Sequence, residues 1–363
     1  MNRNDRNVGS ASNEANSACG CCLPRRQFLA RAAALGAMGA LPSIESVAQA
    51  NAPHRIDIHH HMLPPAYMEA IATRRFGPVP NWSPARSLED MDKAGIATAM
   101  LSIVQPGVWL GNDEEGRRLT RVCNEFGARM VRDHPRRYGL FATLPLGDVQ
   151  GSLSEIPHAL DELRADGIGL MTSFGDKWLG DPVFWPVMEE LNRRRAVIYT
   201  HPTQANCCRN LMPDVSPSTV EWTTDTTRTI ASLLFTGTAA RFPDIRWIFS
   251  HGGGTAPFLL GRFQTQESMM KDREQRLPRG VVHELRKFHY DTAQANHPGA
   301  LAALLSIVPA TQVLLGTDYP LRKPVEEIGA VGPYKFSAHD LRAIERENAI
   351  RLLPRIASQL DRS

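Results

Sequence analysis

The sequence predicts an α/β fold, specifically a (β/α)8 or TIM barrel, and three observations lead to that prediction. Short apolar and β-branched runs alternate with helical patterns along most of the 363-residue chain, as βαβ units with a parallel sheet require. Eight such runs can be distinguished, enough for a closed barrel. Several of them end in histidine or aspartate, and the carboxyl ends of barrel strands converge on one mouth, where such barrels carry out their chemistry.

The predicted elements follow one another in a regular order. Strands are predicted at 55–61, 97–104, 138–146, 167–174, 196–201, 246–251, 288–292 and 312–318. Helices are predicted at 88–94, 115–133, 155–165, 182–194, 220–241, 256–270, 298–307 and 338–353. A doubly wound open sheet is the alternative. It requires a glycine-rich phosphate turn after the first strand, and Met62-Leu63-Pro64-Pro65 is not one.

The first fifty residues lie outside the predicted barrel. The run Pro24-Arg25-Arg26-Gln27-Phe28-Leu29-Ala30 resembles a twin-arginine export motif, and a mild apolar stretch and Ala48-Gln49-Ala50 follow it. The stretch is too short and too interrupted to span a bilayer. The order of these signals favours a cleaved signal peptide at 1–50 over a disordered N-terminus that happens to carry two arginines. We therefore expect one barrel domain at 51–363 and a periplasmic location.

Composition excludes several classes of partner. The formal net charge is +3 and no basic run is present, so nothing indicates nucleic acid or an anionic membrane surface. Three of the six cysteines lie in the predicted signal peptide, and the remaining three are too sparse for a disulfide framework. We interpret the adjacent Cys207 and Cys208 as small apolar loop residues rather than as a redox or metal-binding pair.

Four side chains at strand ends predict a site for one divalent metal ion. His59 and His61 share a face of the first strand because side chains alternate along a strand, whereas His60 points towards the outer helices. His201 ends the fifth predicted strand and Asp318 ends the eighth. Three neutral imidazoles and one carboxylate suit Zn²⁺, or another borderline ion such as Mn²⁺ or Co²⁺.

His251 ends the sixth predicted strand and is either an additional ligand or a base beside the ion. We favour the base, because a histidine and a metal-bound water both titrate near neutrality. The fourth strand has no lysine before Lys177, so it offers no modified lysine to bridge a second ion. Gly252-Gly253-Gly254 follows His251 and leaves room for a ligand to approach backbone N–H groups.

These motifs resemble the amidohydrolase-related family (amidohydrolase 2), which has a barrel of the metal-dependent hydrolase type. Within that family the chain is most similar to the branch typified by aminocarboxymuconate-semialdehyde decarboxylase. The motifs are Ile56-Asp57-Ile58-His59-His60-His61, Thr200-His201-Pro202, Phe249-Ser250-His251-Gly252-Gly253-Gly254 and Gly316-Thr317-Asp318-Tyr319-Pro320. Further matches at 88–95, 258–262, 290–293 and 298–301 extend the resemblance over nearly all of 51–363.

The resemblance implies a role for each matching residue. It makes His59, His61, His201 and Asp318 the metal ligands and His251 the catalytic base. It also implies that Arg262 reaches into a neighbouring subunit to hold a substrate carboxylate, a task that suits a planar bidentate donor. We therefore expect a homodimer or higher homo-oligomer. The alternative for Arg262 is an ordinary arginine on a helix surface.

Two departures from the muconate enzyme point to another substrate. Its second substrate-binding arginine falls at Ser87, with Arg86 one position away. After His201-Pro202 the chain reads Thr203-Gln204-Ala205-Asn206 and lacks the tryptophan-bearing loop. The segment 202–227 is more similar to family members that decarboxylate hydroxybenzoates of the methylsalicylate kind.

We therefore predict a metal-dependent, non-oxidative decarboxylase that releases CO₂ from a small aromatic or unsaturated carboxylic acid, such as a hydroxybenzoate. The ion is expected to hold the substrate's oxygen atoms, and Asp318 or His251 is expected to deliver a proton to the carbon that loses CO₂. The first alternative is a metal-dependent hydrolase, a lactonase or an amidohydrolase, that uses metal-activated water. The second, a binding protein built on a retired barrel, is disfavoured because all five site positions are filled.

Overall fold

The computed structural model describes residues 54–72, 81–209 and 211–360, and the predicted export signal at 1–50 lies outside the described residues. Eight parallel strands form one sheet in which the strands follow one another in chain order. They are β1 (Arg55–Met62), β2 (Ile96–Ile103), β3 (Tyr138–Thr143), β4 (Gly167–Met171), β5 (Val197–His201), β6 (Arg246–Phe249), β7 (His289–Asp291) and β8 (Val313–Leu314). The predicted (β/α)8 barrel is confirmed.

The barrel closes where β1 meets the segment that begins with β8. Three backbone hydrogen bonds cross this seam: Ile58 N–H to Leu315 O at 2.9 Å, Asp318 N–H to His59 O at 2.8 Å and His61 N–H to Tyr319 O at 2.7 Å. Because β8 itself is only two residues long, closure depends on the residues that follow it. Asp318 is therefore held against His59 by the same backbone contacts that complete the barrel.

Helices surround the strands in the expected alternation. They are α1 (Pro65–Ala70), α2 (Pro84–Lys93), α3 (Asp113–Asp133), α4 (Val149–Pro157), α5 (Trp185–Arg193), α6 (Pro217–Phe235), α7 (Thr238–Arg241), α8 (Leu260–Met269), α9 (Arg273–Arg276), α10 (Val281–Lys287), α11 (Pro298–Leu305), α12 (Pro324–Val331), α13 (Ala338–Arg342), α14 (Asn348–Leu352) and α15 (Pro354–Leu360). In the part of the chain that the structure describes, no helix is both long and apolar enough to cross a bilayer.

Several predicted boundaries are wrong for local reasons. The helix predicted at 155–165 begins at Val149, because the Asp148 side chain caps it by accepting from Gly151 N–H, and it continues as a π-turn over His158–Glu162. The helix predicted at 220–241 is split by Gly237, which has a φ of 80°. The strand predicted at 167–174 ends at Met171, and Ser173–Phe174 pairs instead with Lys177–Trp178 in a small hairpin.

The seam of the barrel contains a buried polar network centred on Asp57. Asp57 Oδ1 accepts the N–H groups of His59 and Thr317, each at 3.0 Å. Oδ2 accepts Thr317 Oγ1–H at 2.6 Å and lies 3.1 Å from His60 Nδ1. Asp57 is completely buried. Since Thr317 follows β8, this one carboxylate joins the first strand to the end of the last.

His60 continues the network outwards, as the sequence predicts. Its Nε2 lies 2.8 Å from Ser87 Oγ on α2, and its ring stacks on Tyr319 with centroids 4.4 Å apart. Asp57, His60 and Ser87 thus have the connectivity of a hydrolytic triad. All three are fully buried, so no substrate can reach Ser87 and the arrangement is structural. Ser87 is therefore part of the scaffold.

Replacing Asp57 with alanine should destabilise the barrel strongly, because it leaves three or four buried donors without an acceptor. We expect a loss of about 3 kcal/mol in the free energy of unfolding, measured by urea titration of metal-free protein. The matched control is Asp92→Ala, because Asp92 is 59% exposed and pairs with Arg137 at the surface. That change should cost less than about 1 kcal/mol. Equal effects of the two substitutions would contradict the proposed role of Asp57.

Candidate metal centre

Three histidines and one aspartate that are distant in sequence meet at the mouth of the barrel. One ligand atom from each of His59, His61, His201 and Asp318 lies within 4.8 Å of the others, and all four residues are buried. His59 Nε2 and His61 Nε2 are 3.1 Å apart. Asp318 Oδ1 lies 3.1 Å from His59 Nε2, 3.2 Å from His61 Nε2 and 3.9 Å from His201 Nε2. The structure therefore brings together all four predicted ligands.

These separations suit a single small cation. Ligand atoms bonded to Zn²⁺ at about 2.0–2.1 Å in a tetrahedron lie roughly 3.3 Å from one another. Three of the distances around Asp318 Oδ1 and His59 Nε2 are close to that value. Nε2 of His201 is buried and has no hydrogen-bond partner among the described residues. A buried lone pair without a partner is the expected condition of a ligand atom that a cation would satisfy.

The far side of each ligand ring is held by a hydrogen-bond partner. His59 Nδ1 lies 2.9 Å from Asp291 Oδ2, His61 Nδ1 lies 3.0 Å from Ser102 Oγ, and His201 Nδ1 lies 2.9 Å from Pro202 O. A carbonyl or carboxylate oxygen accepts, so when the rings of His59 and His201 are neutral their proton resides on Nδ1 and the Nε2 lone pair points inwards. Such outer contacts orient metal-binding histidines and set their tautomer.

The protonation equilibria fit a site built around a positive charge. Burial lowers the pKa of His201 to about 3, and burial together with the neighbouring rings lowers that of His61 to about 4. Burial also opposes a charge on His59, but Asp291 and Asp318 outweigh it and raise its pKa to about 10. The buried carboxylates of Asp291 and Asp318 thus favour a positive charge at His59, which its proton provides when no metal ion is bound. A divalent ion can take the place of the His59 proton, since metal binding releases protons from ligands.

His251 lies beside the four ligands but is not a member of the ligand group. Its ring centroid is 5.0 Å from that of His59 and 5.9 Å from that of His201. His251 Nδ1 donates to Ala293 O at 2.9 Å, which leaves Nε2 free, and Nε2 has no partner among the residues that the structure describes. Burial lowers the pKa of His251 below its usual value, so its ring is held neutral and able to accept a proton.

The sequence prediction that every site residue ends a strand is wrong in two cases. His251 lies two residues beyond β6 and Asp318 lies four residues beyond β8. Their φ angles are 54° and 58°, in the left-handed region that non-glycine residues rarely adopt. Backbone conformations of this kind persist only where surrounding contacts enforce them, and they concentrate at functional sites. The loops, not the strands, thus aim these two side chains.

Asp291 is the residue that sequence reasoning overlooked. Besides orienting His59, its Oδ1 accepts the N–H groups of His251 and Ala293, at 2.9 Å and 3.0 Å. One buried carboxylate therefore positions the metal ligand His59, the backbone of His251, and Ala293, whose carbonyl accepts from His251 Nδ1. Asp291 lies within the segment 290–293, which resembles the family. Its position at the carboxyl end of the short strand β7 could have indicated that it belongs to the site.

Other predicted residues lie where they cannot complete the site within one chain. Arg262 is exposed on α8 and its side chain makes no hydrogen bond or ion pair with a described residue. Phe258, just before that helix, is 85% exposed. Arg86 is exposed and faces Asp90. Cys208 is buried and Cys207 exposed, and neither belongs to the ligand group.

A cavity of about 510 Å³ opens beyond the carboxyl ends of β2, β4 and β5. Trp109 and Phe174 provide aromatic surface, and Thr203, Gln204 and Arg209 provide polar groups. Thr203 N–H donates to Thr172 Oγ1, and Thr172 N–H donates to the carbonyl of His201. The lining residue Thr203 follows the metal ligand His201 by two positions, whereas the four ligands and His251 do not line the cavity, and its volume is that of a small-molecule site.

Comparison with known proteins agrees with this geometry. The chain is 33% identical over 326 residues to the decarboxylase macB of Penicillium terrestre, and the alignment covers 83% of this chain and 95% of that relative. It is 30% identical over 321 residues to the 6-methylsalicylic acid decarboxylase of Penicillium expansum, covering 85% of this chain and 99% of the relative.

Solved structures share the fold. A crystal structure of an amidohydrolase II has a TM-score of 0.77 and 27% identity, covering 83% of this chain and 99% of that chain. A dihydroxybenzoic acid decarboxylase from Polaromonas with bound manganese has a TM-score of 0.72 and 20% identity, covering 82% and 96%. A family model described as amidohydrolase matches residues 56–355. With nearly the whole barrel matched and four donors gathered into a divalent-metal site, this protein belongs to the amidohydrolase family.

Proposed function

We propose that this protein is a divalent-metal-dependent, non-oxidative decarboxylase of a small aromatic carboxylic acid, with a hydroxybenzoate as the expected substrate class. The observation that carries the proposal is the free Nε2 of His251 beside four converging ligand atoms. The prediction of a carboxy-lyase is confirmed at the level of reaction class by the similarity to decarboxylases over more than four fifths of the chain. The substrate itself is our proposal.

The reaction breaks one carbon–carbon bond. The electron pair of that bond stays on the ring carbon, CO₂ leaves, and the same carbon takes up a proton. A bound divalent ion would hold the substrate's oxygen atoms and offset the negative charge that develops. His251, neutral at rest, would take up a proton from water at Nε2 and pass it to this carbon, and Ala293 O fixes the opposite side of its ring. Asp318 is the second group that can deliver this proton.

The substrate class is supported by the cavity that Thr203 lines, two residues beyond His201. Its volume of about 510 Å³ accommodates a single substituted ring, and its lining combines aromatic side chains with the guanidinium of Arg209. Such a mixture of apolar walls and a few polar groups is typical of sites for small aromatic acids. Arg262 would add a second cation if a neighbouring subunit supplies it, and an active monomer would contradict that role.

For the resident ion we propose Zn²⁺, because three imidazoles and one carboxylate are the donors that it prefers. Mn²⁺ is the alternative, and it is bound in the dihydroxybenzoic acid decarboxylase of similar fold. Co²⁺ suits the same donors.

We also propose that the protein is exported to the periplasm, which rests on the motif around Arg25 and Arg26. Replacing both arginines with lysine should then retain the protein in the cytoplasm, as cell fractionation would report.

The decisive experiment follows CO₂ directly. The protein is freed of metal with a chelator and reloaded separately with Zn²⁺, Mn²⁺ or Co²⁺. Each preparation is incubated with a panel of hydroxybenzoates, including methylsalicylates, and with lactones and amides that contain the same ring. We expect CO₂ release from at least one acid, dependent on added metal. Turnover of a lactone or amide without CO₂ would identify the protein as a hydrolase instead.

Two single substitutions should separate metal binding from catalysis. His201→Ala removes a ligand whose Nε2 has no hydrogen-bond partner among the described residues, so bound metal measured by mass spectrometry should fall well below one equivalent per chain. His251→Ala should retain the metal and reduce kcat by roughly 10²–10⁴-fold, the usual contribution of a general acid or base.

The near-ultraviolet circular dichroism of each variant serves as the folding control. Full activity of His251→Ala would place the proton-transferring group at Asp318. A full equivalent of metal in His201→Ala would refute the ligand assignment.

A further inference from the structure

A chain of side chains runs from the protein surface to the metal ligand Asp318. Gln294 is an exposed residue in the loop after β7, yet its Nε2–H donates to Asp318 Oδ2 at 2.5 Å. Arg322, also exposed, donates from Nη2 to Gln294 Oε1 at 2.8 Å. The contacts therefore form a relay from a guanidinium through an amide to a buried carboxylate.

The two oxygens of Asp318 have separate tasks. Oδ1 is the atom that faces the three imidazoles. Oδ2 points the other way, and Gln294 is the only side chain among the described residues whose hydrogen bond to it is observed. A buried carboxylate oxygen without a donor is costly. Because the Gln294 amide donates to Oδ2, rotation of the carboxylate would break this hydrogen bond, and Oδ1 stays directed towards the ligand rings.

The amide of Gln294 is itself fixed at both ends. Arginine can only donate, so the atom that faces Arg322 is the amide oxygen, and the NH₂ group necessarily faces Asp318. The backbone is held as well, since Gln294 N–H donates to Glu327 Oε2 at 2.9 Å and Asn296 Nδ2–H donates to the same oxygen at 2.7 Å. Gln294 adopts a φ of 51°. A glutamine in accidental surface contact would have no need of this support.

We propose that Gln294 is a positioning residue for the metal site, which orients Asp318 through Oδ2, and that Arg322 acts through Gln294. The inference rests on the proposed function only in that Asp318 must bind a metal ion. It adds two residues from the rim of the barrel to the determinants of metal affinity. Neither residue touches the cation, because the relay reaches it through the carboxylate.

The test is the affinity for Zn²⁺ alone, measured without substrate by competition with a chelating indicator. Gln294→Leu removes a hydrogen bond to a charged group and should weaken Zn²⁺ binding roughly tenfold or more. Gln294→Glu keeps the shape but places an acceptor against Oδ2, and it should weaken binding at least as much. Gln275→Leu is the control, since Gln275 is exposed on α9 and its side chain has no hydrogen bond to a described residue.

A double-mutant comparison tests the order of the relay. Arg322→Met should weaken Zn²⁺ binding by a few-fold, less than Gln294→Leu, because an exposed arginine contributes little by itself. In the Gln294→Leu background the same change should have no further effect. Because Gln294→Leu also leaves a buried oxygen without a donor, its thermal midpoint is measured alongside, and the loss of Zn²⁺ affinity should persist at temperatures where both metal-free proteins are fully folded, which separates positioning of the ligand from a general loss of stability.

Three outcomes would overturn the proposal. Zn²⁺ affinity of Gln294→Leu within twofold of the unmodified protein would show that Asp318 needs no such support. An additive effect of Arg322→Met would show that Arg322 acts independently of Gln294. Failure of the unmodified protein to bind Zn²⁺, Mn²⁺ or Co²⁺ would refute the metal site itself, and the proposal with it.

Discussion

The direction of the imidazole lone pairs is the constraint on which this site depends. A histidine presents Nε2 to a ligand only when its other nitrogen has a partner that accepts the Nδ1 proton. His59 has a carboxylate for this purpose and His201 and His251 have backbone carbonyls. The acceptors lie on the far side of each ring. Consequently the Nε2 atoms of His59 and His201 converge, together with that of His61, on one space, which also receives Asp318 Oδ1.

The same seam that closes the barrel also assembles the metal centre. The first strand supplies two imidazole ligands, and the segment after the last strand supplies the carboxylate ligand, Asp318. Asp57 joins these two parts of the chain through Thr317, and backbone hydrogen bonds between β1 and 315–319 run alongside. A defect in closure would therefore displace Asp318 relative to His59 and His61. Stability of the barrel and geometry of the site are coupled at this place because one set of contacts serves both.

Three residues around the metal centre stand on loops that hydrogen bonds hold in place. His251, Gln294 and Asp318 all have positive φ angles, and the backbone N–H groups of His251 and Gln294 each donate to a carboxylate, whereas that of Asp318 donates to the carbonyl of His59. Asp291 holds the backbone of His251, and Glu327 holds the backbone of Gln294. Loops anchored in this way can place a side chain where a regular strand could not, while the barrel beneath them provides the rigid support that such geometry requires.

The sequence by itself determined the fold class and the identities of the five central residues. Strand periodicity and the convergence of parallel strand ends are local or topological rules, so His59, His61, His201, His251 and Asp318 could be selected before any coordinates. Only the tertiary structure decided how most of these residues are aimed, because the outer partners of His59, His61 and His251 come from distant parts of the chain, whereas His201 uses the carbonyl of the adjacent Pro202. Asp291 meets His59 across 232 positions of sequence, and Gln294 meets Asp318 from a separate loop. Contacts of that kind leave no periodic trace in a single sequence, because they arise when the chain closes on itself.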